Sequence, residues 1–302
     1  MELHHLRYFV AVARTGSFTR AAELSHVAQP SLSQQIRRLE AELGGPLFDR
    51  TGGRVRLTPL GEALLPRAER ILAEAEAAVR EAQELLGLKR GRVVVGTTPI
   101  SGAHLLPPVV AAFRQRYPGV AVALREESTA TLVELTRRGE VDLSLVTLPV
   151  RDPDLEAVPL ITEDLLLAVP PGHPLAEAEE VPLGAVAGEP FLLLKEGMGF
   201  RNVALAACAA AGFRPEPVFE SSYMDTLLAL VAVGMGVTLV PRLAARGDGD
   251  PAPRFVELAP PRPTRTLGLV WRRQGHLSPA TRTFVAVARE IWPGERTGPG
   301  AG

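Results

Sequence analysis

Residues 17–50 restrict the fold more tightly than any other stretch of this chain, because they carry the start and stop signals of two short helices with only a tight turn between them. Gly16 suits the left-handed end of a preceding helix, and Ser17 can cap the next one. Phe18, Ala21 and Ala22 make that second helix short and closely packed. Ser25-His26-Val27 is the break, and Pro30 falls in the first turn of a third helix, where its missing N–H is not needed. Ahead of all this, Leu3, Leu6, Phe9, Val10 and Ala13 repeat at helical spacing and give a first helix its apolar stripe.

On the third helix, Leu32, Ile36, Leu39 and Leu43 lie within about 40° of one another at roughly 100° per residue. The opposite face carries Pro30, Gln34, Arg37 and Ala41, flanked by Ser33 and Arg38. Hydroxyl, amide and guanidinium groups pair with base edges and phosphates in a major groove, so this is the pattern of a helix-turn-helix reader of DNA. Taken alone, the helix reads equally well as an amphipathic helix with an ordinary solvated face.

The next residues favour the first reading. Gly44-Gly45 stops the helix and Pro46-Leu47-Phe48 supplies packing. Arg50-Thr51-Gly52-Gly53-Arg54-Val55-Arg56-Leu57 then has the glycine turn and alternating arginines of a basic hairpin, a wing able to reach the DNA backbone or minor groove. Residues 1–58 hold eight arginines against five acids, so with a net charge of −1 for the whole chain the remainder carries −4. A locally basic N-terminal domain on a mildly acidic body fits a modular DNA binder.

Thr58-Pro59 starts a new helix. Leu64, Ala68, Ile71, Ala75, Ala78, Ala82 and Leu85 alternate steps of four and three, a coiled-coil seam, and residues 59–88 would span about 45 Å at 1.5 Å per residue. A helix lying along its own domain is the alternative; the narrow, alanine-rich seam favours pairing with a second chain. Pro66 should bend the early part.

Beyond Gly91 the periodicity changes. Strands are expected over 92–98, 120–126 and 141–146 with helices over 103–116 and 129–138, then strands over 165–169, 191–194, 218–220 and 237–240 with helices near 201–211 and 223–233. A strand over 266–271 returns to the first set ahead of a last helix over 279–291, and the glycine-rich tail 294–302 is expected to be disordered. Alternating strands and helices imply an α/β fold with a mostly parallel sheet, here in two lobes. Ligands bind beyond the carboxyl ends of such strands, which points to Thr98, Ser101, Thr129, Thr147 and the loop reaching Phe200, Arg201 and Asn202. Ser101 and Thr129 stand near helix starts that favour an anion, Phe200 could cover a ligand and Arg201 could pair with a carboxylate, so an anionic effector is expected. Each of these residues also has a plain structural explanation, as a helix cap or a solvated loop side chain.

No run of about 18 apolar residues occurs, so no membrane span or membrane partner is expected. No basic segment followed by an apolar core opens the sequence, which leaves a cytoplasmic protein as the expectation. One cysteine, Cys208, allows neither an internal disulfide nor a cysteine zinc cluster. No nucleophile elbow, Walker loop or metal-spaced histidine cluster is present, so no catalytic residue, metal or cofactor is assigned. A solute-binding protein would share the two lobes, but the N-terminal wing counts against it.

The opening Met1-Glu2-Leu3-His4-His5-Leu6-Arg7-Tyr8-Phe9, the Gly16-to-Ala22 run, Gln29 to Ile36, Leu43-Gly44 and Pro46 to Arg50 together resemble the LysR-type transcriptional regulators, with Gly139 to Leu143 and His173 to Ala176 extending the likeness across the chain. The resemblance implies a winged helix-turn-helix over 1–58, a linker and dimerisation helix over 59–88, and a two-lobed, periplasmic-binding-protein-like effector domain over 89–293, with lobe I at about 89–161 and 266–293 and lobe II at about 162–265. It implies promoter double-stranded DNA, a second copy of the chain in a homodimer or homotetramer, RNA polymerase and a small-molecule effector as partners. Carried over by position, Gln29, Pro30, Ser31, Ser33, Gln34 and Arg37 would contact DNA, with Arg50, Arg54 and Arg56 in the wing. Ala28 departs from the family pattern, which has Ser or Thr there, and forfeits a phosphate contact or a cap.

Overall fold

The computed structural model describes residues 1–49, 55–85, 91–246, 250–273, 277–292 and 296–297, in two compact units: Met1–Leu86 with Arg138–Glu140, and the rest from Gly87 onward. In the first, α1 (Leu3–Thr15), α2 (Phe18–Leu24) and α3 (Gln29–Leu43) are followed by a two-strand ladder, β1 (Phe48–Asp49) and β2 (Arg56–Leu57), and by α4 (Pro59–Leu85). The caps act as the sequence requires: Gly16 closes α1 at φ 62°, the Ser17 hydroxyl accepts the Arg20 N–H, and Gly44 closes α3 at φ 77°. Leu6, Phe9, Val12, Leu32, Ile36, Leu39, Leu47 and Phe48 form the core, with the Phe48 ring 5.4 Å from Phe9 and 5.6 Å from Phe18.

Three expectations change here. Leu3 and Leu43 are exposed, because terminal helical turns have no neighbour over them, while Val12 is buried in their place. The ladder begins at Phe48, earlier than the expected first strand at Arg50. Arg50 to Arg54, the turn and two of the three wing arginines, lie outside the described residues, as do residues 86–88 of the expected linker. On α4, which runs unbroken through Pro66, Leu64, Leu65, Ala68 and Leu72 pack on the core of their own unit. The early seam is therefore used within the chain, and Ile71, Ala78 and Val79 remain exposed beyond it.

The second unit is two α/β lobes sharing one sheet. Its elements are β3 (Arg92–Thr97), α5 (Pro99–His104), α6 (Leu106–Arg116), β4 (Ala121–Glu126), α7 (Thr129–Arg138), β5 (Leu143–Thr147), β6 (Leu155–Val169), β7 (Glu180–Val181), β8 (Phe191–Leu194), α8 (Gly199–Ala210), β9 (Pro217–Ser221), α9 (Met224–Ala232), β10 (Thr238–Pro241), β11 (Arg254–Leu258), β12 (Thr264–Arg272), α10 (Pro279–Ile291) and β13 (Arg296–Thr297). The order β4-β3-β5-β12-β6-β11-β7 runs through both lobes, with β10 and β13 also on β6 and β8–β9 forming a separate parallel pair. Lobe I packs α6 and α10 on one sheet face through Phe113, Phe284 and Trp271. Lobe II closes around Leu167, Phe191, Leu193, Cys208, Leu227 and Val240.

The sheet is mixed where a mostly parallel one was expected: β3 is parallel to β4 and β5, but β12 is antiparallel to β5 and β6, and β10 and β11 are antiparallel to β6. The reason is β6, expected only at 165–169 but continuous over 15 residues. Pro159 lacks an N–H and is tolerated because the register with β12 shifts there, between Leu267 and Gly268. One expected helix over 103–116 is two, broken at Leu105, since Pro107 and Pro108 have no N–H to donate to the carbonyls of Ala103 and His104 and suit the first turn of a new helix instead. Within the expected disordered tail, Arg296–Thr297 instead pair in parallel with Thr162–Glu163; residues 294–295 and 298–302 lie outside the described residues.

Candidate functional site

The first candidate surface is α3. Its apolar side (Leu32, Ile36, Leu39) is buried, so Gln29, Pro30, Ser31, Gln34 and Arg37 are exposed, with Ser33 half-buried among them and Arg38 also exposed. Ala28 is the N-cap residue and makes no side-chain cap, so the forfeited hydroxyl is a missing cap. His26 in the preceding turn takes φ 53°, the left-handed region, which keeps the connection short.

Two residues without a role in the sequence reading hold α3 in place. Buried His5 accepts the Glu2 backbone N–H at Nδ1 (3.3 Å), so its Nε2 carries the proton and donates to Gln35 Oε1 at 3.0 Å, fixing α3 to α1. Glu40 Oε1 accepts the backbone N–H groups of Leu47 (2.9 Å) and Phe48 (3.4 Å), which ties the helix to the root of the wing. Only their place on the inner flank of an amphipathic helix hinted at this. From the other side, the Thr58 hydroxyl donates to Pro46 O at 2.7 Å and accepts the Gly61 N–H at 3.1 Å, starting α4. A Cβ at Gly61 would lie 2.3 Å from Leu47 O, so that approach requires glycine. Arg56, exposed on β2, stands opposite Asp49; Arg50 and Arg54 lie outside the described residues.

The second candidate is a cleft of about 930 Å³ in the second unit. Thr129, Thr147, Leu148 and Pro149 of lobe I, the outer face of α8 and residues 182–184 of lobe II, and the crossing segment 259–264 line it. Thr129, Thr147 and Asn202, three of the seven expected effector residues, meet at the start of α8. The Gly199 N–H donates to Thr129 Oγ1 at 3.1 Å, and a Cβ at Gly199 would lie 2.8 Å from that oxygen and 3.2 Å from Thr147 Cβ.

The other four sit elsewhere. Thr98 and Ser101 are buried and bonded to each other (3.1 Å); Thr98 is the N-cap of α5 and Ser101 lies inside that helix, away from the expected start. Phe200 belongs to the lobe II core, under the Arg265 guanidinium at 5.3 Å, and is no cover for a ligand. Arg201 donates to Leu194 O and Glu220 Oε1, so its charge is already compensated within lobe II. For Phe200 and Arg201 the apolar or charged character is legible in the sequence, but Arg265 and Glu220, which claim them, lie on other elements; Thr98 and Ser101 satisfy each other within one turn.

Between the lobes lies an ion pair the sequence did not announce. Arg265 Nε donates to Glu163 Oε1 at 2.7 Å, Glu163 Oε2 accepts the Leu243 N–H at 2.8 Å, and both side chains are almost wholly buried. Arg265 Nη2 is 2.7 Å from the same carboxylate oxygen but buried without an aligned acceptor. Burial pulls the guanidinium below its ordinary value and Glu163 opposes that. Nearby, burial and then Arg246 hold His104 below its ordinary value. Cys208 is fully buried on the inner face of α8, and desolvation pushes its thiol up to about 11. Among the described residues no group of three or more His, Cys, Asp or Glu is placed to hold a metal, and no helix is long and apolar enough to cross a membrane.

Known proteins share this arrangement. The model of the bacterial regulatory helix-turn-helix protein, lysR family, matches residues 3–62, and that of the LysR substrate binding domain matches residues 86–293. The chain is 39% identical over 308 residues to the HTH-type transcriptional regulator YcgK of Bacillus subtilis, covering 96% of this chain and 94% of that one. It is 35% identical over 276 residues to the hydrogen peroxide-inducible genes activator of Escherichia coli O157:H7, covering 90% of each. A solved full-length OxyR variant from Pseudomonas aeruginosa superposes with a TM-score of 0.75 at 31% identity, covering 96% of this chain and 94% of that one.

Proposed function

This chain belongs to the LysR family of DNA-binding transcriptional regulators, and from that membership we propose that it reads promoter DNA with the outer face of α3 and adjusts that reading when a small molecule occupies the cleft beside α8. The observation that carries the DNA half is the exposure of Gln29, Pro30, Ser31, Gln34 and Arg37 along one helix whose other face is buried. Ser33 stands at the edge of this set, and Arg56, with Arg50 and Arg54, would contact the backbone from the wing. The effector half is supported by Thr129, Thr147 and Asn202 converging on one cavity between two lobes.

Two copies would present two such helices. The exposed Ile71, Ala78 and Val79 on α4 support pairing through that helix, whereas Leu64 and Ala68 are already engaged. A tetramer built from two dimers rests on family membership alone. A protein acting on the chromosome is expected in the cytoplasm.

Hydrogen peroxide, which the name of the Escherichia coli relative carries, would meet no reactive thiolate in this chain. Cys208 is the only cysteine of the chain, and a buried thiol raised to about 11 is not a thiolate near neutral pH.

Gel retardation with the chain's own upstream DNA at low salt tests the regulator reading. A complex that survives excess random duplex is expected; retardation equally erased by random and upstream DNA would overturn it.

A further inference from the structure

We propose that the cleft beside α8 selects elongated apolar molecules, aromatic or aliphatic, that end in a single small head group accepting hydrogen bonds, a carboxylate or an uncharged carbonyl. The inference rests on the proposed effector role of this cleft and specifies the chemistry it recognises.

The cleft has a polar end and an apolar floor. At the polar end, the Thr129 hydroxyl accepts the Gly199 N–H, which leaves its own proton to point toward a ligand. Thr147 is 6% exposed, and its hydroxyl has no hydrogen-bond partner among the described residues. The hydroxyl itself is not sealed in the core, and the cleft that Thr147 lines is its open side, where a ligand acceptor can meet it. The Asn202 amide, one turn into α8, adds a third donor at the same end. All three can donate to one acceptor, and the start of a 12-residue helix favours partial negative charge there.

Away from this end, Ala206 and Ala210 continue the same face of α8, and from Asn202 to Ala210 the helix rises about 12 Å. Alanines leave room where larger residues would fill it. Leu183 and the prolines at 260–261 form apolar walls, and the Thr264 hydroxyl on the crossing segment is the one further uncharged polar side chain of the lining among the described residues. Arg262 is the one charged residue on the lining among the described residues, and its guanidinium is held by Glu180 and Leu258 O. A phosphate, a dicarboxylate or an amino acid would bring charge with no free counter-charge to meet it. An apolar body with one acceptor satisfies the three donors gathered at the start of α8 and matches the alanine, leucine and proline surface beyond them, the usual economy of a small-molecule cleft.

Isothermal titration of the full-length protein with 1-naphthoate, 1-naphthamide, 1-naphthylmethylamine and citrate tests this. The carboxylate and the amide should bind with affinities within about tenfold of each other, and the amine and citrate about 100-fold more weakly. Thr147→Val should weaken both good ligands by about tenfold, consistent with loss of one hydrogen bond. Ala206→Leu and Ala210→Leu should abolish binding, while Ala209→Leu, on the same helix but off the lining, should not, with thermal melts checking that each variant is folded. Preferred binding of citrate or the amine, equal effects of leucine at 206 and 209, or no binding of either naphthalene acceptor would overturn the proposal. A protein that retards its upstream DNA yet gives one of those results loses this ligand class and keeps its regulator role; one that retards no DNA selectively loses the regulator role.

Discussion

Glu163 and Arg265 face each other as register partners on β6 and β12, the two strands that pass between the lobes, and their carboxylate and guanidinium meet at 2.7 Å with almost no exposure to solvent. A buried pair of this kind adds little net stability, yet removing one member strands the other charge. Glu163→Gln should therefore destabilise the protein by about 3–5 kcal/mol, whereas Glu163→Leu combined with Arg265→Met should be closer to wild type than either single change. Urea unfolding of wild type, Glu163→Gln, Glu163→Leu, Arg265→Met and the double variant checks this, and equal losses in single and double variants would contradict it.

The exposed face of α3 and the wing should fail in different ways. Gln34→Ala removes an amide suited to a base edge, so discrimination against a changed base pair should fall by about 1–3 kcal/mol while random DNA binds as before. Arg56→Ala removes one backbone charge, so all sequences should bind more weakly and the slope of log affinity against log salt should drop by about 0.9. Fluorescence anisotropy with upstream and scrambled duplexes across a salt series separates the two.

Ala28 sits where a hydroxyl belongs. With Pro30 lacking an N–H, the Ser31 N–H is the donor left for a cap at the head of α3. Ala28→Ser should stabilise the N-terminal unit by about 1 kcal/mol, read as a higher midpoint for the unfolding of that unit. An unchanged midpoint would mean that water already serves the Ser31 N–H as well as a hydroxyl does.

This position also illustrates what the sequence makes legible. Caps, helical stripes and glycine stops act within a turn or two of chain, so α1 to α4 and most later elements could be placed from Gly16, Ser17, Gly44, Thr58 and their neighbours. Thr129, Thr147 and Asn202 can be placed on one cleft because strand and helix ends are local features too. The partner of a side chain is not local. Arg201 looks like a free loop cation until Glu220 and Leu194 O fold against it, and Phe200 looks like a lid until Arg265 lies over it. The second half of the problem is β6: Pro159 and the charged Glu163-Asp164 conceal a 15-residue strand whose continuity depends on a bulge and on an ion pair 102 residues apart.

His104 should give acid sensitivity to the effector unit. Burial lowers it from its ordinary 6.5, with Arg246 and Arg265 acting in the same direction and Asp225 and Glu163 against. The unfolded chain thus takes up this proton more readily than the folded one. The stability tied to neutral His104 is complete above about pH 6.5 and declines as the pH falls below that value. His104→Gln should gain stability relative to wild type on going from pH 7.5 to pH 5.5, measured by urea midpoints at both values. A constant difference between the two proteins would remove His104 as a source of acid lability.

Gly199 and Thr129 set how closely the lobes approach beside the cleft. A methyl group at 199 would be 2.8 Å from Thr129 Oγ1 and 3.2 Å from Thr147 Cβ, both tighter than ordinary contact. Gly199→Ala should therefore cost about 1–3 kcal/mol through overpacking. Thr129→Ala alone removes the acceptor of the Gly199 N–H and should cost about 1 kcal/mol. Together the two changes relieve the 2.8 Å clash while leaving the tight approach to Thr147, so the double variant should lose less than the sum of the singles. The coupling should be about 0.5–3 kcal/mol, the range for residues in direct contact. Additive losses in this cycle would mean that the lobes open to accommodate the methyl group, and that the approach of Gly199 to Thr129 does not hold the cleft in its present width.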